Sequence, residues 1–71
     1  MLMLMLTPQQ IRQIRLARGE TLKEFADRFG VTPDAVVKWE AGDRHPLYAK
    51  MQQLNDLLKE AEKKHGLVLA S

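Results

Sequence analysis

The chain has 71 residues with four Gly, three Pro and no internal repeat, which is material for one compact domain over 1–71 and leaves no room for a two-domain enzyme. It has no Cys, and its two histidines, His45 and His65, stand far apart, so disulfides, thiolate chemistry and a metal centre drop out and no cofactor is expected. The formal charge of +2 falls within residues 1–50, which suits a polyanionic partner but is far from a polybasic tail that binds any anion.

Met1 to Leu6 is an uninterrupted apolar run. It lacks a basic flank, is too short for a signal segment and far too short to span a bilayer, so a cytoplasmic protein with no membrane partner is expected. The run reads either as a sticky extension packed on the core or as a strand or helix that joins two subunits. Thr7 then opens the first helix. Its hydroxyl can accept from the Gln10 N–H while Gln10 reaches back, and Pro8 occupies the first helical position, where no N–H is needed. Ile11, Ile14 and Arg18 share one side, with Leu16 and Ala17 beside it, and Gly19 ends the helix at about 18.

Thr21 and Glu24 form a second capping box, Leu22, Phe25, Ala26 and Phe29 give a buried side, and Gly30 stops this helix, which spans 22–29. After Val31 comes Thr32 as cap, Pro33 as first helical residue and Asp34 next, where a carboxylate complements the positive helix end. This third helix, 33–41, turns Val36 and Trp39 inward and ends at Gly42, and Asp43 to Pro46 is a polar loop. Leu47, Met51, Leu54, Leu57, Leu58 and Ala61 then recur at three- and four-residue steps and predict a fourth helix over about 47–64, stopped by Gly66. The apolar end, Leu67 to Ala70, reads as a short strand or an unstructured tail. The fold class is therefore all-α, with four main helices and two apolar extensions.

Helices of about eight residues do not persist alone in water, so the second and third must pack on each other and on a third element. A tight Gly30-Val31 turn and the small Ala26 bring them close. Phe25, Phe29, Val31, Val36 and Trp39 fill the space between them, joined in the candidate core by Ile11, Ile14 and Leu54.

The segment TLKEFADRFGVTPDAVVKWEAGDRHP resembles the Cro/C1 repressor, or Xre-type, helix-turn-helix family. Arg15, Ala26, Gly30, Val36, Trp39, Glu40 and Gly42 agree with its pattern at once, and the likeness covers Ile11 to Pro46, about half the chain. The resemblance implies a lambda-repressor-like fold, with the motif at 22–41, and a protein that binds double-stranded DNA. It also implies that Arg15 pairs with Glu40. That pair either orients the guanidinium toward a DNA phosphate or ties the first helix to the third, and the two roles are compatible. The chain departs from the family at Leu22, where a Gln usually meets a phosphate, at Glu20, usually apolar, and at Leu47, usually a Ser cap. A longer fourth helix stands in place of the usual fifth, and with it the usual dimer surface.

On this reading the outward N-terminal face of the third helix carries the base contacts: Thr32, Pro33, Asp34, Ala35 and, one turn on, Lys38. Lys38 can donate to guanine, Asp34 can accept from cytosine or serve the helix dipole alone, and Ala35 or Pro33 can touch a thymine methyl. Phosphate contacts fall to Arg15, Thr21, Lys23, Arg44, His45, Tyr48 and Lys50. Two functions compete. One is a transcriptional regulator, a phage-type repressor or Cro or an autoregulating antitoxin with a toxin partner, acting as a homodimer on palindromic DNA. The other is a protein-interaction module that uses the side of the fourth helix and the apolar ends. An enzyme is not expected, because the chain has no His and carboxylate cluster and no Gly-rich phosphate loop.

Overall fold

The computed structural model of the protein describes residues 5–69, and within them the chain forms four helices and no strand. These are α1 (Pro8–Ala17), α2 (Leu22–Phe29), α3 (Pro33–Ala41) and α4 (Tyr48–His65). Local side-chain chemistry sets three of the four starts. Thr7 Oγ1 accepts from the Gln10 N–H at 3.2 Å while Gln10 Oε1 accepts from the Thr7 N–H at 3.0 Å, and Thr21 and Glu24 repeat the exchange at 3.1 and 2.9 Å. Thr32 caps α3 by accepting from the Ala35 N–H at 3.2 Å. Ala35 has no side chain to return the bond, so this box is half made.

Three boundaries differ by one residue from the sequence expectation, among them the end of α4, which runs to His65 against the stop at Gly66. Helix α1 stops at Ala17, with Arg18 as its cap, because the chain already turns at Gly19 with φ of +68°. Helix α4 begins at Tyr48 rather than Leu47. Leu47 is its extended cap residue, makes no side-chain cap bond and is 78% exposed, so the buried side of α4 starts at Met51.

Helix α3 packs on both α2 and α1, and α4 packs on α1. The buried core draws Ile11 and Ile14 from α1, Phe25, Ala26 and Phe29 from α2, Val36 and Trp39 from α3, and Met51, Leu54, Leu57, Leu58 and Ala61 from α4. Phe29 is its hinge point, with its ring centroid 4.9 Å from Phe25 and 5.5 Å from Trp39, both edge-on. Val31, expected inside, is only half-buried, because it sits in the α2–α3 turn at the margin of the core. Leu6 is buried and adds to the core, whereas Met5 is exposed. The rest of the N-terminal run, 1–4, lies outside the described residues, as does Ala70 at the other end. Leu67 and Leu69 pack on the core with Val68 turned out, the alternation of an extended tail that pairs with no strand among the described residues.

A charge network ties the α1–α2 link to α2 and connects onward to α4. Glu20, in the α1–α2 link, accepts from Arg18 Nε at 3.2 Å and from both Arg28 Nε and Nη2, while Arg18 Nη1 forms an ion pair with Glu60 of α4 at 3.0 Å. Burial alone pushes the Glu20 carboxyl up, but the hydrogen bonds and charges of Arg28 and Arg18 outweigh it and leave it below its ordinary value. Glu60 is lowered as well, by its bond to Arg18 first. A carboxyl depressed in the folded state contributes stability above its unfolded pKa, and that contribution disappears as pH falls through the folded value. The melting midpoint should therefore fall as pH drops below about 4.5, into the carboxylate range. Arg28→Met should flatten that dependence, and parallel thermal melts of parent and variant from pH 7 to pH 3 measure it.

Candidate nucleic-acid interface

Why α3 is displayed follows from the turn before it. Gly30 adopts a left-handed conformation with φ of +66°, which is inexpensive for glycine, and the Val31 N–H returns to the Ala26 carbonyl at 3.1 Å. The chain thus reverses in two residues and starts α3 at once. Val36 and Trp39 hold the helix from below, fully or nearly fully buried, and leave Thr32, Pro33 and Asp34 exposed and Ala35 and Lys38 half-buried. Thr32, Pro33 and Asp34 are open to solvent, while Ala35 borders the loop after α3 through Arg44 and His45. Asp34 and Lys38 pair at 3.1 Å across one helical turn, with side chains 71% and 42% exposed. A surface pair of this kind is worth about 0–1 kcal/mol, so Lys38 is available to a stronger acceptor at small cost.

Two further residues share this outward face and escaped the sequence reading. Val37 is half-exposed and Ala41 is exposed, four and eight residues after Pro33. The four-residue spacing from Pro33 was the available signal. A shallow depression of about 380 Å³ beside them is lined by Arg12 and Arg15 of α1, Leu22 of α2 and Val37, Glu40 and Ala41 of α3. Leu22 is half-buried there. Its apolar side chain has nothing to offer a phosphate.

Arg15 and Glu40 form a two-point pair, Nε to Oε2 at 2.7 Å and Nη2 to Oε1 at 3.0 Å. Arg15 Nη1 also donates to the Glu20 carbonyl at 3.1 Å. Their side chains are 11% and 10% exposed. The bond to Glu40 raises the Arg15 pKa above its ordinary value despite burial, so the guanidinium is charged at every accessible pH. Three donors are spent inside the protein and join α1, the α1–α2 link and α3. Each terminal nitrogen keeps one further hydrogen.

The remaining basic and polar candidates fall into two groups. Thr21 spends its hydroxyl on the α2 cap and Lys23 pairs with Asp27 at 3.2 Å, both exposed at the first turn of α2. Arg44, His45 and Lys50 come together instead around a groove of about 370 Å³ next to α3, whose apolar lining is Val31, Ala35, Trp39 and Leu47. The loop that carries Arg44 folds back on α3, with the Asp43 and Arg44 N–H groups both directed to the Lys38 carbonyl, at 3.0 and 3.4 Å. Tyr48 stands exposed at the start of α4.

Lys50 has a second employment that its sequence position did not suggest. Its ammonium donates to the Phe29 carbonyl at 2.6 Å, across 21 residues, and so caps the C-terminus of α2 where the turn into α3 begins. Lys50→Met should lower stability by about 1 kcal/mol and speed amide exchange at Val31. Urea midpoints and exchange rates of the two proteins check it, and unchanged exchange at Val31 would count against the cap.

Among the described residues no group of His, Cys, Asp or Glu is arranged to hold a metal ion, and no helix is long and apolar enough to cross a membrane. A family model described as helix-turn-helix matches residues 11–62, which takes in all of α2 and α3 and most of α1 and α4. No curated protein and no solved structure matches the chain.

Proposed function

We propose, from the premise that the chain belongs to the Cro/C1-type helix-turn-helix family of DNA-binding regulators, that it is a sequence-specific transcriptional regulator which lays the first turn of α3 in the major groove. The observation that carries this is the exposed run Thr32, Pro33 and Asp34, held out from the body by the buried Val36 and Trp39. Thr32, Pro33, Asp34, Ala35 and Lys38 then face base edges. Arg44 and His45, with Lys50 behind them, flank one DNA strand, and Thr21 and Lys23 at the start of α2 meet the other. Tyr48 extends the first of these rows.

The whole chain acts as one domain in this scheme, and two copies bind a palindrome with their α3 helices about 34 Å apart, in successive major grooves. Regulation is by occupancy, as a phage-type repressor or Cro, or as an antitoxin that represses its own promoter. A second reading has a specific observation behind it. Leu47 and Tyr48 are adjacent, apolar or aromatic, and 78% and 69% exposed, which suits a polypeptide partner such as a toxin better than water.

Selection of bound sequences from random duplex DNA at two salt concentrations tests the first reading. The expected product is a two-fold symmetric site whose affinity falls steeply with salt. Repeating the selection with Lys38→Ala should erase the preference at one base pair, on the order of 1–3 kcal/mol. A parent protein that enriches no sequence at either salt ends the proposal and leaves the polypeptide partner.

A further inference from the structure

We propose that Val37 is a specificity-determining residue that packs against the C5-methyl group of thymine, so that the protein selects its site partly by thymine methyls. This rests on the reading of α3 as the helix that enters the major groove.

Two adjacent valines in α3 have opposite fates. Val36 is fully buried, whereas Val37 is 44% exposed, and so the core does not account for it. Helix formation does not account for it either, because a β-branched residue loses side-chain freedom in a helix and is a poorer choice than alanine at an exposed position. What Val37 does have is placement. It lies one turn beyond Pro33 and one turn before Ala41, both exposed, on the face where Asp34 and Lys38 also stand. Beside the exposed Asp34–Lys38 pair, Pro33, Val37 and Ala41 add apolar surface to this part of the face. The major groove offers one apolar group to match it, the thymine methyl, which cytosine lacks.

The surroundings fit a nucleic acid rather than a second apolar protein surface. Val37 shares its shallow depression with Arg12, an exposed cation of α1, and with the Arg15–Glu40 pair, so the charge left over there is that of Arg12. A methyl-reading side chain with a free cation beside it matches a base edge with a phosphate beside it. Lys38 and Val37 are neighbours in sequence and point about 100° apart around the helix, so they address different positions of the site.

The test uses a duplex enriched by the parent protein, with its thymidines replaced one at a time by deoxyuridine. That exchange removes one methyl group and nothing else. Parent affinity should fall about fourfold at one thymine or more in each half-site, the worth of one buried methyl. Val37→Ala, a half-exposed position whose change leaves the fold intact, should bind the thymidine and deoxyuridine duplexes alike at that position, while its response to Lys38→Ala is unchanged. If the parent ignores every replacement, or Val37→Ala keeps the full fourfold preference, Val37 does not read a methyl. In that case enrichment of a duplex still stands as evidence for DNA binding. If instead Val37→Ala changes the sedimentation of the free protein, the residue belongs to a contact between copies and the proposal is overturned.

Discussion

Trp39→Ala is expected to unfold most of the molecules at room temperature, or at least to bring the melting midpoint down by well over ten degrees. The side chain is 4% exposed and sits edge-on to Phe29, which in turn meets Phe25, so its removal opens a hole where α2 and α3 join. Emptying a buried tryptophan site costs about 3–5 kcal/mol, because the lining relaxes only in part. Folded domains have roughly 0.05–0.15 kcal/mol of net stability per residue, so a chain this short has little beyond that amount to lose. Each kcal/mol corresponds to roughly 4–8 °C in a domain of this size. Trp39→Phe keeps an aromatic edge toward Phe29 and should lose much less. Far-UV circular dichroism melts of the three proteins at one concentration decide the matter, and an alanine variant that melts with the parent would refute the packing at the α2–α3 junction.

The contrast between what was legible and what was not follows the range of the interactions. Helix starts at Thr7, Thr21 and Thr32 were readable because the capping bonds reach only three residues along the chain, and stops at Gly30, Gly42 and Gly66 because a left-handed backbone selects glycine locally. Leu47 was placed on the wrong side of its boundary for a related reason. It has the right spacing for the buried side of α4 yet stays 78% exposed at the rim of a groove, and spacing carries no information about such surroundings. Val31 and Lys50 needed the tertiary structure too, since one is half-buried by its position in a turn and the other bonds a carbonyl 21 residues away. The Arg15–Glu40 pair spans 25 residues and no local pattern could have supplied it; the family resemblance did. Val37 differs from these: its exposed place beside the buried Val36 follows from the helical step of about 100° per residue, so it was open to a local reading.

That long-range pair supports the second large prediction. Arg15→Met removes the guanidinium and leaves the Glu40 carboxylate, with its side chain only 10% exposed, facing a methionine. Breaking a buried ion pair from one side costs about 3–5 kcal/mol, and the residual exposure places this case near the lower figure. Urea unfolding should show the loss directly. Replacing both partners, Arg15→Met with Glu40→Leu, removes the stranded charge as well and should regain most of it, since an apolar pair of similar volume is often as stable as the ions. The double variant therefore separates two roles that the single one confounds. If the pair only ties α1 to α3, the refolded double variant binds an enriched duplex as the parent does. If an outer N–H of Arg15 also meets a phosphate, binding weakens, and the slope of log affinity against log salt falls by about one. The second outcome is expected, because Arg15 lines the depression beside Val37, where the DNA backbone passes if α3 is in the groove. A parent-like slope in a folded double variant would assign the pair to architecture alone and move the backbone contacts to Arg44, His45 and the start of α2.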